Sequence, residues 1–206
     1  MTGIALFLRI SAWLPLLAGV SLAAGPVVPP GVFSVNHITI GMTTLDEVQK
    51  IYGTVEPSRV GPGDSADIAI CYRAPSSTGR VFIIFESGDM GAFKEITGFR
   101  LSAERGSERC VSTAMDGGAL ATKNGIRLGQ SLDAFQKAIP VSFKRRGPIL
   151  EYEGVSRRAA TADELKRLRA AWPNQKRYHV DVTIDIRAAF RAKRLVDFYV
   201  HKVESY

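Results

Sequence analysis

At 206 residues with 46% apolar and 23% charged side chains, the chain is long enough for one large core or two small ones of roughly 85 residues each. Its 19 glycines and 10 prolines are ordinary globular usage, which excludes fibrous repeats and wholesale disorder. The net charge of +7 is unevenly spread: residues 24–122 carry 8 Lys/Arg against 11 Asp/Glu, net −3, and residues 123–206 carry 18 against 9, net +9.

The first 25 residues read as a cleaved export signal. Arg9 is the only charge ahead of an apolar run from Ile10 to Ala24 that ends in small residues, with cleavage expected near Ala23 to Gly25. The alternative, a membrane anchor, needs about 20 apolar residues, and Pro15 interrupts this run. The mature protein is therefore expected to be periplasmic or secreted. In an oxidising compartment the two cysteines, Cys71 and Cys110, are expected to be bridged. The bridge closes a loop of about 40 residues, worth roughly 3 to 4 kcal/mol in loop-closure entropy. Two distant cysteines with no clustered histidines lack the ligand count of a metal site, so neither metal nor cofactor is expected.

Residues 26–35 form an extended linker, and a short strand or turn follows at Ile38. A helix over about 43–52 is capped by Thr43 or Thr44 and carries Asp46 and Glu47 in its first turn, where the helix dipole favours negative charge. Leu45, Val48, Ile51 and Tyr52 give it one apolar stripe, and Gly53 ends it. Residues 59–65 read as a loop, and strands at 67–73, 80–86 and 94–103 form an antiparallel meander. Both phases of the middle strand are apolar. Val81, Ile83 and Phe85 face the helix, which leaves Phe82 and Ile84 on the other side in need of a cover or a partner.

The second half repeats the plan with a helix over about 131–138 and strands at 149–155, 178–186 and 195–202. Thr161-Ala-Asp-Glu164 has the form of a capping box and starts a basic helix that ends before Pro173. Alternation in residues 178–186 puts Tyr178, Val180, Val182, Ile184 and Ile186 on one face and His179, Asp181, Thr183 and Asp185 on the other, so one sheet face is wet.

The two halves also share words. Ile38-Thr-Ile-Gly41-Met-Thr-Thr-Leu45-Asp46-Glu-Val48-Gln49-Lys50 is echoed by Ile126-Arg-Leu-Gly129-Gln-Ser-Leu132-Asp133-Ala-Phe135-Gln136-Lys137, with one residue skipped after Thr43. The expected fold is α+β, with two tandem helix-plus-antiparallel-sheet repeats at residues 36–118 and 119–206, the second carrying a helical insertion at about 161–173.

The Gly-Met-Thr-x-x-x-Glu-Val unit at Gly41 to Val48, followed by a glycine and then strands, resembles the repeat shared by two groups. These are the outer-membrane assembly lipoproteins of the SmpA/OmlA type and the secreted beta-lactamase inhibitory proteins. Tandem copies match the second group better. That resemblance implies two helix-plus-four-strand units whose sheets join into one concave, eight-stranded surface that grips a partner protein. It also implies that the loop Gly88-Asp89-Met90 protrudes toward the partner, with Asp89 as a candidate acidic contact.

No nucleophile elbow, zinc-binding helix or phosphate-cradling glycine loop is present, and the three histidines are far apart in sequence. The sharpest chemical set, His179, Asp181, Tyr199 and His201, is of a type that performs acid/base or metal chemistry, yet no nucleophile or oriented base accompanies it. A noncatalytic protein-binding module is therefore expected. Its contacts are Phe82, Ile84, Asp89, His179, Asp181, Arg187, Tyr199 and His201, and its partner is a protein of the envelope or extracellular space, possibilities that include an enzyme to be inhibited. The alternative is an envelope assembly or scaffold factor whose basic half meets an anionic membrane or polymer. A small hydrolase or ligand-binding protein is the third reading. Nucleic acid is not an expected partner, because export removes the protein from it and the clusters Lys144-Arg-Arg146 and Arg157-Arg158 belong to no reading module.

Overall fold

The computed structural model describes residues 27–60, 67–77, 79–89, 92–104, 109–174 and 178–206; the expected leader, residues 1–25, lies outside them. Among the described residues the fold is α+β, with three α-helices and one large, almost wholly antiparallel sheet.

A 3-10 turn at Pro30–Phe33 leads into a small hairpin of β1 (Ser34–Val35) and β2 (Ile38–Thr39). Helix α1 (Leu45–Tyr52) follows, with Thr44 as its cap: the Glu47 amide donates to Thr44 Oγ1 and the Glu47 carboxylate accepts from the Thr44 amide at 2.8 Å. Then come β3 (Ser58–Val60), β4 (Asp67–Ser76), β5 (Gly79–Ser87), β6 (Gly98–Ser102) and β7 (Cys110–Ser112). The second half supplies α2 (Leu132–Ala138), β8 (Lys144–Arg146), β9 (Ile149–Ala159), α3 (Ala162–Ala171), β10 (His179–Arg191) and β11 (Arg194–Ser205). The strands lie in the order β3-β4-β5-β6-β11-β10-β9-β8, with β7 parallel to β4.

Strand β6 is shorter than the 94–103 expected. Residues 94–96 are held instead by the chain leading into α1: the Leu45 amide donates to the Lys94 carbonyl at 2.8 Å and the Ile96 amide to the Thr43 carbonyl at 2.9 Å. A matching arrangement precedes α2, where the Leu195 amide donates to the Gln130 carbonyl at 2.9 Å. In each case a glycine turns the chain. Gly41 (φ 73°) donates to the Ile96 carbonyl and Gly129 (φ 81°) to the Leu195 carbonyl, in a backbone region that side chains disfavour.

One hydrophobic core runs beneath both α1 and α2. Tyr52 on α1 contacts Tyr72 and Phe85, Phe85 contacts Phe99, Phe99 contacts Phe198, and Phe198 contacts Phe135 on α2, with ring centroids 5.4 to 6.4 Å apart. These residues occupy one phase of the strands, so both helices cover the same side of the sheet. The opposite phase forms the open face.

Cys71 and Cys110 are bridged, as expected for an oxidising compartment; they stand directly opposite each other on β4 and β7, with Cα atoms 4.5 Å apart. No helix among the described residues is long and apolar enough to cross a membrane.

Candidate functional site

The open face is ordered in rows that run across the strands. One row reads Ala69, Glu86, Gly98, His201, Asp185 and Glu153, and the next reads Cys71, Ile84, Arg100, Tyr199, Arg187, Glu151 and Lys144. Tyr199 and His201 stand side by side at the centre, their rings parallel to within 5° and 6.3 Å apart.

Gly98 makes room for them. A Cβ at that position would come within 3.1 Å of both His201 Cδ2 and the Val200 carbonyl oxygen, so the His201 ring occupies the space above Gly98, an approach that a larger residue would obstruct. The electrostatics of this centre are acidic. Burial pushes the Tyr199 phenol well above its ordinary pKa, and the Glu86 carboxylate, which accepts a hydrogen bond from the phenol, adds to the shift along with Asp185 and Asp67. Burial lowers the pKa of His201 while the charges of Asp67 and Asp185 oppose that fall, so the imidazole is biased toward its neutral form.

Four arginines on or near this face are paired with acids. Arg100 Nε meets Asp197 at 2.7 Å, Arg157 Nε meets Asp181 at 2.7 Å, Arg146 meets Glu151 at 3.0 Å and Arg191 meets Glu104 at 2.6 Å. These pairs fix side-chain positions on an exposed surface and contribute little to stability individually.

Among the residues expected to make contacts, Arg187, Tyr199 and His201 come together, with Arg187 opposite Tyr199 and Asp185 opposite His201. His179 and Asp181 share the open phase of β10 but belong to its far end, His179 lying six residues from Asp185, roughly 20 Å along the strand. The two histidines therefore do not share a site. Asp89 is exposed at the start of the β5–β6 connection; Met90 lies outside the described residues.

Phe82 and Ile84 need correction as contact residues. They occupy the open phase as expected, but their exposures of 7% and 1% place them inside a second, small core with Ala69 and Cys71, against which Val60 and Cys110 pack. The short strands β3 and β7, both on the far edge of β4, bring Val60 and Cys110 there.

Sequence reasoning did not single out Glu86, Gly98, Arg100 or Asp197. Glu86 was findable, because it continues the Phe82–Ile84 phase; Gly98 gains meaning only from its pairing with His201.

Among the described residues no group of three or more His, Cys, Asp or Glu side chains is placed to hold a metal ion. A cleft of about 340 Å³ lined by Arg73, Arg80, Ser112 and Thr113 lies away from the histidines. Compared with known protein families, curated proteins and solved structures, the chain matches none of them.

Proposed function

We propose that this chain is a noncatalytic, exported protein-binding module that grips a partner protein on its open face, with Tyr199, His201 and Arg187 as contacts and the neighbouring carboxylates of Asp185 and Glu153 receiving a cationic side chain. The carrying observation is the central row: Glu86, Asp185 and Glu153 flank an aromatic pair on a face that neither α1 nor α2 covers. Aromatic and arginine residues dominate interface energetics, and carboxylates beside such a pair favour a lysine or arginine from the partner.

The tandem-repeat reading supports this proposal. Thr44 and Ser131 each accept a hydrogen bond from the third amide of α1 and α2, and bridge to Glu95 and Arg194, the residues beside Ile96 and Leu195. Val48 and Phe135, equivalent in the two sequence copies, are both fully buried. The strand order places β6 of the first half beside β11, the last strand of the second, at the middle of the sheet. Such an arrangement is what the resemblance to the inhibitory proteins leads one to expect, and inhibition of an envelope or extracellular enzyme is the preferred form of the activity.

The test is affinity capture from the native envelope with tagged mature protein, beside the same protein with Tyr199→Ala and His201→Ala. One specific partner, lost in the variant, supports the proposal; equal recovery by both proteins rejects the face as the site.

A second reading, an envelope scaffold that rests on anionic lipid or polymer, is favoured by one specific observation. All three residues of β8 are basic and exposed, as are Lys166, Arg167 and Arg169 on α3. Salt-dependent cosedimentation with anionic vesicles, absent with neutral ones, would favour it.

A further inference from the structure

Strand β9 ends the sheet for most of its length. It runs from Ile149 to Ala159, yet its outer neighbour β8 pairs only with Ile149, Leu150 and Glu151. From Tyr152 onward β9 has a partner on one side alone among the described residues, and such an edge is a template for another strand.

The backbone direction along this edge follows from one hydrogen bond. The Phe190 amide donates to the Pro148 carbonyl at 3.0 Å, and antiparallel partners alternate in which residues exchange bonds. Even-numbered residues of β9 therefore turn their amides and carbonyls toward β10, and Glu153, Val155 and Arg157 turn theirs outward. The side chains of these three lie on the open face. Val155 is 72% exposed, an unusual state for a β-branched residue in the middle of a strand.

Their charges are also self-complementary. Glu153 has Asp185 directly beside it and no ion pair among the described residues, whereas Arg157, four residues further on, carries the opposite charge beside Asp181. A second β9, antiparallel and centred on Val155, would set Val155 against Val155, Glu153 against Arg157 and Arg157 against Glu153. The backbone groups of all three residues would be satisfied. On the other side of the sheet the small residues Gly154 and Ser156 would face each other. Registers displaced by two residues in either direction lose the doubled Glu153–Arg157 match.

The geometry points to a symmetric homodimer formed by β9 edges, in which the two sheets become continuous across a two-fold axis at Val155. Arg157 would then bridge its own Asp181 and the second copy's Glu153, relieving the like-charge contact between Glu153 and Asp185. The occupant of the edge is a second copy of this chain because the pattern matches itself, residue for residue, about one position. This inference does not rest on the open-face reading, and either can fail alone.

The test is the mass in solution of mature protein by light scattering and sedimentation across a concentration series, for the wild type, Val155→Pro and Glu153→Arg. Val155→Pro removes an outward amide that β10 does not use, so it should give a monomer without loss of the β9–β10 pairing. Glu153→Arg reverses two contacts per dimer and should raise the dissociation constant about tenfold or more. Should Val155→Pro fail to fold, Glu153→Arg carries the test. A dimer in the wild type, weakened by either folded variant, bears the inference out. A wild type that stays monomeric throughout overturns it and leaves the edge to an extended segment of another protein; a dimer indifferent to both variants overturns the assignment to β9.

Discussion

The imidazole of His201 lies parallel to the phenol ring of Tyr199, with 5° between their planes and 6.3 Å between their centres. The two are successive residues on the open phase of β11, and each has a charged neighbour on β10, Asp185 for His201 and Arg187 for Tyr199. Strand pairing thus gives a small aromatic surface one acidic and one basic flank.

Gly98 tests the importance of how the His201 ring is seated in that surface. Gly98→Ala is expected to push His201 aside, since the added methyl meets both its ring and the Val200 carbonyl at 3.1 Å. Partner capture should fall while the fold survives. Undiminished capture by a folded Gly98→Ala protein would remove the seating of His201 on Gly98 from the proposed interface.

Acid should weaken the native state through His201. Its folded pKa lies below the ordinary 6.5 because burial opposes the charged form. The unfolded chain then binds a proton more readily than the native one, so stability is constant above that value, falls as pH drops through it, and levels once the native ring also protonates. Thermal unfolding of the wild type and of His201→Gln across about pH 5 to 8 should show a slope that the variant lacks. Identical slopes would place the effect elsewhere.

Phe82→Ala is expected to act on stability. At 7% exposure the ring belongs to the second core, and truncating a buried phenylalanine typically costs about 3 to 5 kcal/mol. Denaturant unfolding should register that loss. A variant of unchanged stability would mean that the ring is not held there in solution.

The disulfide closes a 39-residue separation. Cys71→Ala with Cys110→Ala should lower unfolding free energy by about 4 kcal/mol on loop-closure entropy. Equal unfolding midpoints for the variant and the oxidised wild type would argue that the bridge does not form.

Arg158 joins α3 to the sheet through both Glu164 oxygens, at 2.7 and 2.8 Å, and through Glu204. The Arg158 guanidinium holds the Glu164 carboxyl far below its ordinary range, against the opposing effect of desolvation. That contribution is present above the unfolded value of 4.5 and is lost as pH falls toward the native pKa. Arg158→Leu should destabilise by about 1 to 2 kcal/mol, a figure reduced for the arginine's partial exposure. Hydrogen exchange should show the loss concentrated in α3.

Much of the local structure was legible in the sequence. The alternation from Val180 to Ile186 gave the phase of β10, Thr161 and Glu164 form the capping box of α3, and export chemistry anticipated the Cys71–Cys110 bridge. Each of these signals is contained in a few neighbouring residues or in the compartment. The strands β3, β7 and β8 were not legible, because three-residue segments are too short to carry a period; their neighbours define them.

What the sequence by itself determined, then, is the inward and outward phase of the long strands, the ends of the helices and the repeated Gly and Leu-Asp words before α1 and α2. Hydrogen bonding and hydrophobic periodicity within about ten residues suffice for these. Only the tertiary structure decided that β6 meets β11, that Arg100 reaches Asp197, 97 residues away, and that Gly98 lies between Glu86 and His201. It also decided that Phe82 and Ile84 are covered. Those relationships depend on the register between distant strands, which is set by the packing of the shared core and is written in no single stretch of chain.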